Sequence, residues 1–280
     1  MKLNIPVEET IRKRISVRTY EPKSLSEKDK EELRKEISIL TNPFDAKVNI
    51  HLIEKDIASN GEKLGTYGVI KGAKTFLGLS VDKSEFGLIA AGYQFENLIL
   101  YATNMGLGTV WLAATFSREQ FENAMNIKKN ELFPAISPIG YVAGKRSVTE
   151  SLMRKTMKSD KRKPWEEIFF MNSFENPLSK EEANEYVNPL ELLRLAPSAT
   201  NAQPWRVVKK QGFYHFFETH KSNTKEDEIM IKKVDLGIGI SHFHQVALER
   251  GLAGNFEKLT DLKLQVPDNT NYVISWKIDK

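Results

Sequence analysis

The chain contains no cysteine, which excludes disulfides, thiolate metal sites and cysteine nucleophiles together. Glycine and proline are sparse, 16 and 11 in 280 residues, too few for a collagenous or low-complexity chain. Charge of one sign is lacking too: 41 basic against 37 acidic residues give no whole-protein pull toward nucleic acid. Long apolar runs are missing. The most apolar long stretch, residues 86–105, carries Gln94, Glu96, Asn97 and Asn104, poor choices for a bilayer centre, so a buried helix is expected there and no membrane span. The opening "MKLNIPVEETIRKR" has no apolar core of a secretory signal. With the absence of cysteine, this suits a cytoplasmic protein.

Several chemistries are absent as motifs. There is no G-x-x-x-x-G-K-[ST], G-x-S-x-G or H-E-x-x-H, and the "GLG" at Gly106 and "GIG" at Gly237 lack the third glycine of a dinucleotide fingerprint. His242 and His244 are two apart on an expected helix, so they point in nearly opposite directions and cannot chelate one metal. His51, His215 and His220 fall in or beside strand-like segments with no carboxylate at metal spacing. Trp111, Trp165, Trp205 and Trp276 read as core. No metal site is expected.

What is present is an α+β pattern that occurs twice. In the first half, helices are expected at residues 6–15 and, capped by Ser26, at 27–39. "KVNIHLI" and "TFLGLSV" read as strands, a long helix over residues 85–105 stops at Gly106, and a helix at 118–125 precedes the strand "AISPIGYVAG". In the second half, Ser179 and Glu182 have capping-box spacing, with helix running on to Leu195. "WRVVKK" and "GFYHFFETH" have strand composition, "VDLGIGISHFHQVALERG" reads as a helix, and "NYVISWKI" alternates as a one-sided strand. Placing Gly106 on Gly251 brings Gly92 onto Gly237, Phe95 onto Ile240 and Leu98 onto Phe243, with Asp82 and Asp235 each in a "VD" lead-in to the helix. An internal duplication is inferred, with residues 1–146 and 176–280 as halves and 147–175 as connector.

Three stretches carry candidate chemistry. "RKRISVRTY" sets Arg14, Ser16 and Arg18 at alternate positions just beyond a helix, which in extended chain places them on one side. Two guanidiniums and a hydroxyl suit a phosphate or a polarised carbonyl, but cations also complement a helix C-terminus. "LAPSATNAQPW" puts Ser198, Thr200 and Asn201 between Pro197 and Pro204, which impose a defined non-helical loop. A capped helix stop with Trp205 as core leaves that density of small polar groups unexplained. The basic run at residues 153–163, "MRKTMKSDKRK", is a solvated face, a nucleic-acid arm or a phosphate ligand; taken alone it favours the solvated face.

These segments resemble the FMN-dependent nitroreductase family. "RISVRTY" is similar to its N-terminal "RRSVRxF", and "LAPSATNAQPWRVV" matches its "APSxxNxQPW" at every specified position. "GLGTVWLAA" resembles "GLGSxWxGG", "SPIGYVAG" the later "PxGYP", and "KRKPWEEI" the terminal R-x-P-hydrophobic-E-E segment. The order departs from the family's. There, both leading motifs lie early in one subunit, and two subunits build each FMN site. Here the first half reads "SILTNPFDAKV" where the second motif belongs, and the intact motif stands in the second half, which lacks Arg-x-Ser-x-Arg.

The resemblance therefore implies a nitroreductase-like α+β fold of two degenerate halves, each with a mainly antiparallel sheet and flanking helices, packed as a single-chain counterpart of the family's dimer. It implies a monomer, with further dimerisation open, that holds one FMN per chain. Arg14 and Ser16 would bind the phosphate and ribityl region and Arg18 the pyrimidine edge. Ala113 and Ala114 stand where a backbone amide faces N5 and O4. Pro197, Ser198 and Asn201 would contact the flavin from the second half, and Arg162 matches a late phosphate-binding arginine. The family's companion lysine is Asp160 here, with Lys158 or Lys161 as substitutes, and Lys71 could reach the flavin edge. The basic run then becomes a phosphate arm, which argues against nucleic acid as partner. The implied activity is hydride transfer from NADH or NADPH to an electron-poor small molecule such as a nitroaromatic or quinone. A flavin-binding sensor, store or partner-binding protein with little turnover is the alternative.

Overall fold

A computed structural model describes residues 2–54, 65–145, 151–152, 156, 161–221 and 224–279, with backbone alone at 226–229. It divides into two units: residues 13–160, and residues 2–12 together with 161–280. The first helix, α1 (Val7–Lys13), therefore falls almost wholly with the second unit.

In the first unit Ser26 caps helix α2 (Glu27–Ile39) as expected, its hydroxyl accepting from Asp29 N at 3.1 Å. Strands β1 (Val48–Glu54) and β2 (Thr75–Asp82) lead to the long helix α3 (Gly87–Asn104), then β3 (Leu107–Thr109), α4 (Arg118–Met125) and β4 (Glu131–Tyr141). All pairings are antiparallel, in the order β1-β2-β4-β3. The fourth strand begins at Glu131 instead of Ala135. Pro134 masks that start in the sequence, because proline cannot donate to a ladder; it lies where the β2–β4 register shifts between Leu79 and Val81, a place that tolerates a missing N–H. Phe76, Phe116, Phe121 and Phe133 form an aromatic core with Met125 and Ile136, their edge-to-face ring centroids 5.3–5.8 Å apart.

The second unit has strands β5 (Phe169–Met171), β6 (Trp205–Lys210), β7 (Phe213–Thr219), β8 (Gly254–Glu257) and β9 (Thr270–Ile278), in the order β5-β6-β7-β9-β8. Only β5–β6 is parallel. Its helices are α5 (Lys180–Ala183), α6 (Val187–Arg194) and α7 (Glu226–Glu249). The Ser179–Glu182 capping box is present with both of its bonds. The helix beyond it is interrupted, since Asn184 adopts φ 53 and ψ −130 and the chain restarts through a 3-10 turn. Trp205, Tyr214, Phe216, Phe243 and Trp276 make this unit's buried aromatic centre.

The strand order of the first sheet recurs in the second as β6-β7-β9-β8, with β5 added beside β6. Both long helices end at a glycine in the left-handed region, Gly106 (φ 81) and Gly251 (φ 73), where a side chain is strained. The expected correspondence stops short at the aspartates: Asp82 ends a strand before α3, whereas Asp235 lies inside α7. That helix starts at Glu226, eight residues ahead of the expected segment, and its acidic opening "EDE" suits a helix N-terminus. No described helix is long and apolar enough to cross a membrane.

Residues 16–20 run extended beside this first sheet, with Val17 N donating to Thr109 O and Tyr20 N to Lys71 O, both at 2.9 Å. Gly72 permits the second contact. Its φ is 82, and a Cβ there would stand 2.1 Å from the Tyr20 carbonyl oxygen. Gly72→Ala is expected to lower stability by about 2 kcal/mol or more, from left-handed strain plus the clash, read as a drop in the urea midpoint.

Candidate functional site

In the first unit the chain places "RISVR" directly beside "GLGTVWLAA". Ser16 bridges Thr109 in parallel, and buried Val17 and Tyr20 anchor one side of the segment while Ser16 and Arg18 remain half-buried. Arg14, Ser16 and Arg18 thus belong to one short stretch in which Val17 and Tyr20 are buried and Ile15 is exposed. Arg14 Nε lies 3.8 Å from Glu96 Oε1. The other oxygen of Glu96 accepts from Trp111 Nε1 at 2.7 Å. Glu96 is fully buried on α3, and it joins the arginine segment and the tryptophan segment to that helix.

Ala113 is half-buried and Ala114 exposed, in the turn between β3 and α4. Their methyl groups leave only backbone to offer a ligand. The preceding residue is fixed by two bonds of 2.9 Å between Leu112 and Ile136. Lys71 is exposed, and its backbone N–H donates to Arg18 O at 2.9 Å. Lys158 and Asp160 lie outside the described residues.

In the first unit, the loop that stands between α2 and β1 is tied shut. Asn42 Nδ2 donates to Ala46 O and to Gln94 Oε1, each at 2.9 Å, and its Oδ1 accepts from Phe44 N at 3.1 Å. Phe44 is buried against Tyr93 and Phe86, with centroids 5.6 and 6.2 Å away. The Asn42 amide is fully engaged within the loop and with α3, and the Phe44 ring packs beside that helix.

The corresponding loop of the second unit holds "LAPSATNAQPW", and it is built differently. Thr200, Asn201 and Gln203 have φ of 51, 57 and 51, a conformation that costs an L-residue about 1 kcal/mol or more. Ser198 Oγ accepts from Gln203 N at 2.9 Å, and Gln203 Oε1 accepts from Lys163 N at 2.8 Å. Ala199 N donates to both carboxylate oxygens of Asp235, at 3.0 and 3.1 Å. Trp205 is fully buried, as expected of a core residue, and Pro197 is half-buried at the loop's entry.

Arg162 meets this loop. It donates to Leu195 O at 3.0 Å, where a cation complements the end of α6, to Lys161 O at 2.9 Å and to Asn201 Oδ1 at 3.4 Å. Asn201 Nδ2 in turn donates to Lys161 O at 3.0 Å. Lys163 and Arg206 stand close by. Burial, and then the neighbouring Arg206 charge, hold the Lys163 ammonium below its ordinary range, and burial lowers Arg206 as well. Lys163 and Arg206 lie close enough to disfavour each other's charge, with the Glu167 carboxylate offsetting part of the cost to both.

The two buried acids on the long helices, Glu96 and Asp235, were not picked out as site residues from the sequence. A signal existed: each is an acid inside a stretch of otherwise apolar helix, which is costly unless it is paired. Burial pushes the Asp235 carboxyl up to about 7, against smaller downward pulls from the Ala199 N–H and the Lys232 charge. His215 and His244 are buried in the core of the second unit. Burial pushes His215 down to about 4 and His244 to about 3. His215 Nδ1 lies 2.7 Å from Ser275 Oγ, and the His244 ring packs on Phe256 and Trp276.

Comparison with known proteins gives one family. The family model described as "Putative TM nitroreductase" matches residues 6–247. Among solved structures, a "putative nitroreductase" from Thermotoga maritima is 22% identical, with 99% of this chain and 96% of that chain covered and a TM-score of 0.63, which shows a shared fold. A nitroreductase family protein from Clostridium novyi NT is 20% identical, covering 52% of this chain and 91% of its own, with a TM-score of 0.41. A nitroreductase with bound FMN from Bacteroides fragilis NCTC 9343 is 17% identical over 51% of this chain and 91% of its own, with a TM-score of 0.40. No curated protein matches the chain.

Asp235 sets a pH signature. Its folded value of about 7 exceeds the ordinary 3.8, so the folded state binds more protons between those limits and stability falls as pH rises across them. Asp235→Asn is expected to flatten this part of the profile and to melt higher than the wild type at pH 8, measured by thermal unfolding from pH 4 to 8.

Proposed function

Because the chain belongs to this nitroreductase family, a family of oxidoreductases, we propose that it is an FMN-dependent enzyme that carries electrons from NADH or NADPH to a small electron-poor acceptor. The observation that carries the reading is that one family model spans residues 6–247. Both "RISVR" and "LAPSATNAQPW" lie within that span. The donor chemistry fits FMN: a row of Arg14, Ser16 and Arg18 in one half, and a cation-rimmed loop with Asn201 and Ser198 in the other.

FMN held there would supply the redox chemistry, hydride exchange between a nicotinamide donor and an acceptor such as a nitroaromatic or quinone. The protein's residues bind and orient. Arg14, Ser16 and Arg162 would hold the phosphate and ribityl chain, with guanidinium forks suited to phosphate. Arg18 would offer positive charge to the pyrimidine ring, where negative charge develops on reduction. Backbone groups at Ala113 and Ala114 would serve N5 and O4, and Pro197, Ser198 and Asn201 would be the second half's contribution. Hydride transfer needs no side-chain acid or base, so no catalytic dyad is required.

The test combines affinity with turnover. Arg14→Ala and Asn201→Gly, the latter sparing the left-handed backbone, are each expected to raise the FMN dissociation constant by about tenfold or more, roughly 1.4 kcal/mol. Unchanged affinity in both variants would refute the assignment of one flavin to both halves. Anaerobic stopped-flow mixing with NADH and NADPH is expected to bleach the flavin. A yellow protein that neither nucleotide reduces is a flavin carrier and no oxidoreductase.

A further inference from the structure

Asp235 carries a buried carboxyl group that the proposed flavin contacts do not use. It lies inside α7 among buried Val234, Leu236 and Ile238, and is itself only 3% exposed. Burying a carboxylate in such surroundings is costly unless it gains a hydrogen bond. The bond it makes is to one backbone group, the Ala199 N–H, which sits astride both of its oxygens at 3.0 and 3.1 Å.

Ala199 opens the turn that contains Thr200, Asn201 and Gln203, all three in the left-handed region. A segment of L-residues in that conformation relaxes unless its surroundings hold it. Two of the holding bonds come from within the sequence neighbourhood or from the adjoining segment, Ser198 Oγ with Gln203 N and Gln203 Oε1 with Lys163 N. The Asp235 bond is of another kind, because it fastens the turn to a 24-residue helix whose residues from Val234 to Ala247 are buried throughout. We propose that Asp235 is a positioning residue: by gripping the Ala199 amide it fixes where Ser198 and Asn201 are presented, and so sets the affinity for flavin without touching it. This rests on the reading of the loop as a flavin contact.

The experiment compares Asp235→Asn, which keeps an acceptor oxygen, with Asp235→Ala and Asp235→Leu, which do not; leucine fills the volume if the alanine variant fails to fold. Two quantities are read on each: FMN affinity by quenching of flavin fluorescence, and hydrogen exchange of the Ala199 amide in the apoprotein. The expected result is that the Ala and Leu variants bind FMN about tenfold more weakly, the equivalent of one lost bond to a charged acceptor, and lose protection at Ala199. Asp235→Asn retains both. Full affinity in the Ala and Leu variants overturns the proposal. So does weakened binding with Ala199 still protected, or an Asn variant that falls as far as the others. A wild type that takes up no FMN while its Ala199 amide is protected only with an acceptor at 235 marks failure of the flavin reading itself; the amide tie then stands, and its role in flavin affinity falls with that reading.

Discussion

A carboxylate sunk into apolar helix must find a donor, and the placement of the candidate residues follows from the two donors found. In the first unit Glu96 on α3 takes the indole N–H of Trp111 and stands beside Arg14. In the second, Asp235 on α7 takes the Ala199 amide. The sheets supply rigid backing, but their faces are apolar and would accept many arrangements of the loops above them. Each acid adds a directed bond from its helix to the loop beside it, and an unpaired buried carboxylate costs more than an ordinary hydrogen bond contributes.

The two units show how far one topology can diverge. Both keep the same order of four antiparallel strands and a long helix ended by a left-handed glycine. Their loops ahead of the first shared strand have moved apart. Asn42 and Gln94 close one loop and Phe44 packs it shut, whereas the other keeps its amide and hydroxyl groups in a strained turn fringed by Arg162, Lys163 and Arg206. The fold does not require the polar motif, because the first unit forms without it. The second unit also carries an extra strand, β5, drawn from the segment that joins the halves.

Much of this was legible in the sequence. The capping residues Ser26 and Ser179 and the glycine stops of both long helices are local signals, and each appears where its chemistry requires; the alternation in "NYVISWKI" marks a strand but not a one-sided one, because β9 lies between β7 and β8 and buries Val273 to Trp276 in succession. Elements set by tertiary pairing were not legible. Strand β5 is three residues long, too short for periodicity to register, and it exists only because β6 offers an edge. The start of β4 was hidden by Pro134, and the break at Asn184 by good helix formers on either side. Among the candidate residues, Arg14, Ser16 and Arg18 are marked by their spacing, whereas the bond from Arg162 to the Leu195 carbonyl at the end of α6 has no local signal. Asp235 and Glu96 were overlooked for a general reason. A single acid in an apolar run looks like imperfection until its partner is known, and that partner is a backbone amide or a distant indole with no sequence signature.

Helix α1 has an implication for how the chain matures. The backbone N–H groups of Val7 and Glu8, at its N-terminus, donate to the two oxygens of Glu249 at 2.7 and 2.9 Å, and Leu3 N donates to Gln245, 242 residues away. The first unit is contiguous in sequence and can close as soon as it is made. The first helix cannot, because its docking partner lies 242 residues further along the chain. At about 5–20 residues per second, roughly ten seconds to a minute pass between their appearances, and for that interval Val7 and Ile11, buried in the folded chain, are without their native cover.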